Sequence, residues 1–276
     1  MSIAGLTTNS SPNRFKKVRR SRLGGWARFQ SGLMLIGGLE KLTVIDFPGE
    51  IAAIIFTQGC NFRCHFCYNP MLVLPAKTDG KVRYSSQEEA EDHLLKEDDL
   101  FAFLESRRGK LDGVVITGGE PTLHADLPEF IERIRALGYK VKLDTNGTNP
   151  EMLARLIGAG LLDYIAMDIK APRERYGEVV GVQLDFSRIE KSIKIIMESG
   201  RPYEFRTTVV PDLLDGKDIA RMGEMIRGAE KWFLQAFKSE TELVDRNFMG
   251  RKRYAVREME ELADTARKFV AFCQVR

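Results

Sequence analysis

Cys60, Cys64 and Cys67 fall within eight residues, directly after the apolar run 51–56, and the only other cysteine, Cys273, stands near the far end. Thiolates this close on one loop can hold three corners of a small metal cluster, and a four-iron cluster normally takes four ligands. The fourth corner is then left to something that is not protein, and an iron with an open position is reactive. Two other readings stand beside this one. A structural zinc site wants four protein ligands, commonly as two separated pairs, and here there is one triplet. His65 sits awkwardly between two of the cysteines, and Cys273 reaches the loop only if the C-terminal segment folds back over it. Three buried thiols with no metal are the plainest alternative.

Other chemistry-bearing residues recur further along. Gly118-Gly119-Glu120-Pro121 in isolation makes an ordinary turn, but paired glycines also let a ligand approach the backbone closely. Glu120 would then offer a carboxylate to an ammonium group. Asp144, Asn146, Asp168 and Lys170 offer groups that recognise hydroxyls and carboxylates, and Arg206 follows on a later segment. Each alone reads equally well as a strand-end cap or a surface ion pair.

What must position them is a repeating alternation. Short β-branched runs lie at 51–57, 113–117, 140–144, 164–169, 203–210 and 232–237. Helical patterns lie at 86–107, 127–137, 151–157, 186–198 and 218–227, with a last helix from about 256 to 272. Strands alternating with helix-length connections argue for parallel βα units. Six are too few to close an eight-stranded barrel, so the expected fold is α/β, a partial (β/α)6 TIM-like barrel open on one side. The polar residues above all fall at the C-terminal ends of the expected strands, the face where such barrels gather their chemistry. Residues 35–48 read as a lead-in segment ending in a turn.

The chain has 276 residues, 43% hydrophobic and 29% charged, as expected of a globular domain. It contains no apolar run long enough to span a membrane. One cysteine triplet is no disulfide framework and points to metal binding in a reducing, cytoplasmic setting. Residues 1–39 hold seven cations and no acid; the whole chain is at +3, so residues 40–276 carry −4. Residues 1–33 therefore read as a basic, disordered extension, with Met34 as an alternative start, ahead of a working domain over 34–276. Arg19-Arg20 lacks the apolar stretch and cleavage site of a twin-arginine signal. The balance of the chain gives no reason to expect nucleic acid.

Cys60-x3-Cys64-x2-Cys67, with Phe66 before the last cysteine, resembles the signature of the radical S-adenosylmethionine enzymes, and Gly118-Gly119-Glu120-Pro121 resembles that family's second motif. The resemblance runs from about 38 to 237. It implies that Cys60, Cys64 and Cys67 ligate a [4Fe–4S] cluster whose open iron is chelated by the methionyl amine and carboxylate of S-adenosylmethionine. It implies that Phe66 and Tyr68 pass near the adenine, and that Gly118, Gly119 and Glu120 meet the methionyl amine. Asp168 and Lys170 would meet the ribose and carboxylate, and Arg206 would be a further carboxylate partner. Asp144, Thr145 and Asp168 fall where some activating enzymes of the family hold a monovalent cation.

Within the superfamily, the stretches 38–49, 56–64 and 144–147 resemble the anaerobic ribonucleoside-triphosphate reductase activating proteins, a class of glycyl-radical-enzyme activases. Tyr68 departs from the histidine many of them carry after the third cysteine. The implied partners are a glycyl radical enzyme and an electron donor such as flavodoxin or ferredoxin. An alternative is a radical enzyme acting on a small molecule, similar to 7-carboxy-7-deazaguanine synthase; a non-catalytic iron–sulfur or zinc protein is the third reading.

Overall fold

In the computed structural model the residues described are 34–73, 77–78, 81–82 and 94–276. The basic leader 1–33 and the first part of the helix expected over 86–107 lie outside the described residues.

A single sheet organises the chain, in the order β1-β2-β5-β6-β7-β8-β9-β10. Its strands are β1 (Ile36–Thr43), β2 (Ala52–Thr57), β5 (Gly113–Gly118), β6 (Lys140–Thr145), β7 (Tyr164–Asp168), β8 (Tyr203–Val209), β9 (Lys231–Ala236) and β10 (Phe272–Val275). A short ribbon of β3 (Lys77–Thr78) and β4 (Lys81–Val82) stands apart. From β2 onward every neighbour in the main sheet is parallel. The two outer strands do not pair, so the sheet curls without closing, as expected for a partial barrel.

The six expected strands are β2 and β5 to β9. Two more strands of the main sheet were missed. The lead-in segment is β1, antiparallel to β2 with two register shifts; its two glycines and its charges disguise an edge strand, where such residues are tolerated. The expected last helix stops at Ala266, and its tail turns into β10 beside β9. No glycine or proline marks that break between 266 and 272.

Successive side chains on a strand point to opposite faces, and the two faces differ here. Outward, Ile55, Ile116, Leu143, Met167, Phe205 and Leu234 are fully buried under the helices. Each such side chain contributes roughly 1.5–3 kcal/mol by leaving water. The helix Leu127–Ala136 shows the fit, burying Leu127, Phe130, Ile131 and Ile134 on one stripe. Proline opens both this helix and Pro150–Gly158, where the Asn149 side chain accepts from Met152 N. Inward, a small apolar cluster of Phe47, Ala52, Ile54, Val115 and Tyr164 fills one end of the sheet's concave face. The other end is charged. Among the described residues no helix is long and apolar enough to cross a membrane.

Candidate functional site

The loop carrying Cys60, Cys64 and Cys67 leaves the C-terminal end of β2 and is held from two sides. Arg63 N donates to Val180 O at 2.8 Å, on the helix Tyr176–Val180. Opposite, Val244 N donates to Cys67 O at 3.0 Å and Asp245 N to His65 O at 3.1 Å. His65 is occupied: its Nδ1 lies 3.2 Å from Asp245, its Nε2 3.3 Å from the Glu178 carbonyl, and its ring stacks on Phe248. It is a brace and not a fourth ligand. Cys273 lies in β10, buried beside Arg267, which donates to its carbonyl.

All four cysteines are free thiols. Burial pushes Cys60 and Cys64 up to about 12 and raises Cys67 as well, while the Lys170 ammonium favours the thiolate at each. Among the described residues no three His, Cys, Asp or Glu side chains are arranged to hold a single metal ion. Sulfurs sharing one zinc sit about 3.8 Å apart, from zinc–sulfur bonds of about 2.3 Å. Three thiols on one loop, each with the Lys170 ammonium near enough to favour its thiolate, fit a group in which each sulfur takes its own iron.

The second motif packs directly on this loop. Gly118 has φ +117°, and a Cβ there would come within 2.6 Å of the Thr57 carbonyl; one on Gly119 would overlap the Gly59 carbonyl. The space that glycine leaves on this side is taken by the chain between β2 and Cys60. Glu120 N donates to Gly59 O at 2.8 Å, closing the contact.

Glu120 itself is fully buried. Its Oε1 accepts from Thr122 N at 3.1 Å, Thr122 Oγ1 at 2.5 Å and Thr145 Oγ1 at 2.7 Å, and its Oε2 from Asn146 N at 2.6 Å. Burial raises its pKa against the pull of these bonds. Only Oε2 keeps room for a further donor, so the carboxylate mainly ties β5 to β6. Asn146 is likewise engaged: its Oδ1 accepts from Thr148 N and Oγ1, and its Nδ2 donates to Asn61 Oδ1 at 2.9 Å. Asn61 in turn donates to Thr148 Oγ1 at 2.9 Å. Asn61 and Thr148 were not singled out in the sequence; nothing in their spacing marks the contact.

Across the next strands runs a chain of charge. Lys142 Nζ donates to Asp144 at 2.6 Å, Arg206 Nη1 to Asp144 at 2.8 Å, Arg206 Nε to Asp168 at 2.9 Å, and Lys170 Nζ to Asp168 at 2.9 Å. Arg206 and Asp168 are adjacent in register on β8 and β7. The guanidinium thus occupies the position between Asp144 and Asp168 where a monovalent cation was expected. Burial alone would raise Asp168, but Arg206 and Lys170 bring it down to about 2, and Arg206 and Lys142 lower Asp144 in the same way. Lys170 and Arg206 are both raised above their usual range, because the carboxylates outweigh burial.

Three cations and two anions leave this chain with a surplus positive charge, suited to an incoming carboxylate. Lys142 was missed, although a lysine inside a central parallel strand, where an apolar run is the rule, was a usable signal. Below it on the same face, Glu204 accepts from Tyr164 and Arg276 and forms a closed neutral pair.

Phe66 is 4% exposed and packs in the core, with its ring centre 6.0 Å from Lys170 Nζ. Tyr68 is half exposed, and Lys238 lies 6.0 Å from its ring centre.

The sequence pattern described as "Radical SAM superfamily" matches residues 54–227. A Methanocaldococcus jannaschii protein provisionally named a glycyl-radical enzyme activating enzyme is 32% identical over 241 residues, covering 86% of this chain and 93% of its own length. A Saccharolobus solfataricus protein provisionally named GTP 3′,8-cyclase is 33% identical over 156 residues; the match spans 55% of this chain and 45% of that protein. Among solved structures, Streptococcus suis SuiB bound to its precursor peptide SuiA superposes with a TM-score of 0.54 at 17% identity. It covers 81% of this chain and 48% of its own, a likeness of fold alone. The sheet, the cysteine loop seated on the second motif and these matches agree: the chain belongs to the radical SAM superfamily, whose enzymes work with a [4Fe–4S] cluster and S-adenosylmethionine.

Proposed function

We propose that this enzyme is an activase that generates a glycyl radical on a larger partner enzyme, the leading candidate being anaerobic ribonucleoside-triphosphate reductase. The observation that carries the reading is the match to the Methanocaldococcus protein over nearly its whole length. A single cysteine triplet, with no others to hold an auxiliary cluster, supports it. So does a sheet open on one side, which can admit a protein loop. The compartment is then the cytoplasm, and the reductant a flavodoxin or ferredoxin.

In this reading Cys60, Cys64 and Cys67 hold three irons of the cluster. When bound, the cluster and S-adenosylmethionine together supply a carbon radical that abstracts a hydrogen atom. The chain's own residues bind and orient. Lys170 faces the three thiols and favours their ionised form. The surplus charge of the Lys142–Asp144–Arg206–Asp168–Lys170 chain offers a seat to the methionyl carboxylate, with hydrogen bonds that burial strengthens. Glu120 Oε2 retains capacity for the methionyl ammonium, and Tyr68 offers a ring to the adenine.

The test is anaerobic. Iron-reconstituted protein is reduced with dithionite and mixed with S-adenosylmethionine and a co-encoded glycyl radical enzyme. A glycyl doublet in the electron paramagnetic resonance spectrum, with one 5′-deoxyadenosine formed per radical, is expected. Cofactor cleavage stimulated by a small molecule, with no radical on any candidate protein, would instead favour the small-molecule reading.

A further inference from the structure

Lys142 lies where a lysine is costly. It is third in β6, a strand with β5 and β7 on either side, and its register neighbours are Val115 and Tyr164. Both belong to the small apolar cluster on the concave face, and the Lys142 side chain beside them is 1% exposed. Its Nζ donates to Asp144 Oδ1 at 2.6 Å, with the Tyr164 ring centre 5.9 Å away. Among the described residues no second acceptor meets it. A buried ammonium with a single hydrogen bond is a poor device for stability. Its use follows from the carboxylate it meets. Lys142 holds one oxygen of Asp144 and Arg206 Nη1 holds the other. Arg206 Nε and Lys170 Nζ divide the two oxygens of Asp168 in the same way. Glu204, further down the face, is matched by Arg276 and leaves the balance unchanged. Arg206 and Lys170, at 14% and 15% exposed, reach the open end of the face, and each keeps N–H groups that no described residue accepts. The excess cation is therefore buried at Lys142, while the free donors stand at Arg206 and Lys170.

We propose that Lys142 is a positioning residue that makes the site select a carboxylate-bearing nucleoside, by balancing Asp144 from the buried side so that Arg206 and Lys170 present unmatched positive charge to the ligand. The proposal rests on the reading that this chain of ion pairs seats the methionyl carboxylate. Lys142 itself is closed off from any ligand and acts through Asp144 and Arg206. Without it two cations would face two anions, and an incoming carboxylate would meet a balanced set. The interior has a low dielectric, so a single buried charge is felt across several side chains.

Equilibrium dialysis of the anaerobically reconstituted full chain, left unreduced, against S-adenosylmethionine and against decarboxylated S-adenosylmethionine tests this. The readout is the ratio of the two affinities, which should favour the carboxylate-bearing form in the wild type. Lys142→Met should lower that preference about tenfold, the effect of one unit charge a few ångströms away inside a protein, and change affinity for the decarboxylated form little. Asp144→Asn leaves two cations in excess and should raise the preference. Lys142→Met combined with Asp144→Asn removes one charge of each sign and should return it to near the wild-type value, and this pair of variants decides the matter if Lys142→Met alone loses its iron. A merely structural role would weaken both ligands alike. The proposal is overturned by that outcome, by an unchanged preference in Lys142→Met, or by a double variant that falls below the wild type as far as the single one. A wild type that binds both nucleosides equally overturns the carboxylate seat itself, a result distinct from these.

Discussion

Asn61 and Asn146 meet side chain to side chain at 2.9 Å, although 85 positions separate them. One lies between the first two cysteines, and the other sits at the end of β6 with its backbone N–H on Glu120. The cysteine loop is thereby latched to the carboxylate of the second motif. Asn61→Ala removes the latch and leaves the Asn146 amide short of a partner, at a cost of about 1–3 kcal/mol. The expected outcome is a lower denaturation midpoint and faster iron release to a chelator. Wild-type release rates in the variant would show that the latch holds nothing.

Among the described residues, Arg206 alone hydrogen-bonds to both Asp144 and Asp168. Lysine presents a single point charge and cannot reproduce the two-sided contact. Arg206→Ala leaves Asp144 with Lys142 and Asp168 with Lys170 as their remaining cations and should cost about 1.5–3 kcal/mol; Arg206→Lys should recover part of the loss. Urea unfolding of the two variants beside the wild type checks the order, and equal stabilities would refute it.

Asp168 has a folded-state pKa of about 2 against an ordinary 3.8. A depressed carboxylate contributes stability above its unfolded pKa and loses it as pH falls through the folded one. The contribution is full above about pH 4, fades between there and about pH 2, and amounts to roughly 2 kcal/mol. Asp168→Asn lacks it at every pH. The stability gap between wild type and variant should therefore be widest near neutrality and shrink by roughly that amount at pH 2. A gap that is constant with pH would rule the linkage out.

Cys64 and Cys273 are both buried, yet the cluster reading gives them opposite roles. Cys64→Ala should abolish iron–sulfur assembly, read by iron and sulfide analysis and by the visible spectrum. Cys273→Ala should retain full iron content and lose only about 1 kcal/mol of packing. Loss of the cluster in Cys273→Ala would sink the three-cysteine assignment.

The sequence was most informative where side-chain type and strand period coincide. The six parallel strands follow from β-branched runs at regular intervals, and the site residues from their places at strand ends. It was least informative where tertiary contacts decide. Glu120 reads from the sequence as a carboxylate for an ammonium group, and its hydrogen bonds from Thr122, Thr145 and Asn146, which fill Oε1 and leave room only on Oε2, become visible only in the folded chain. Phe66 is packed into the core by the fold of the loop, a burial that the sequence pattern does not signal. β1 and β10 are edge strands, one rich in glycine and charge, the other four residues long, and neither carries enough alternation to be read. The segment 244–248 that packs on His65 leaves no trace in local pattern, since its contacts join residues about 180 positions apart.

The close seating of Gly118 and Gly119 on residues 57–59 bears on how such a centre can be altered. With backbone against backbone there is no slack for either segment to drift alone, so the cysteine loop is not an interchangeable cassette. Transplanting 57–67 into another scaffold carries the thiols but leaves behind the surface that shapes them, and a workable graft has to bring 118–120 with it.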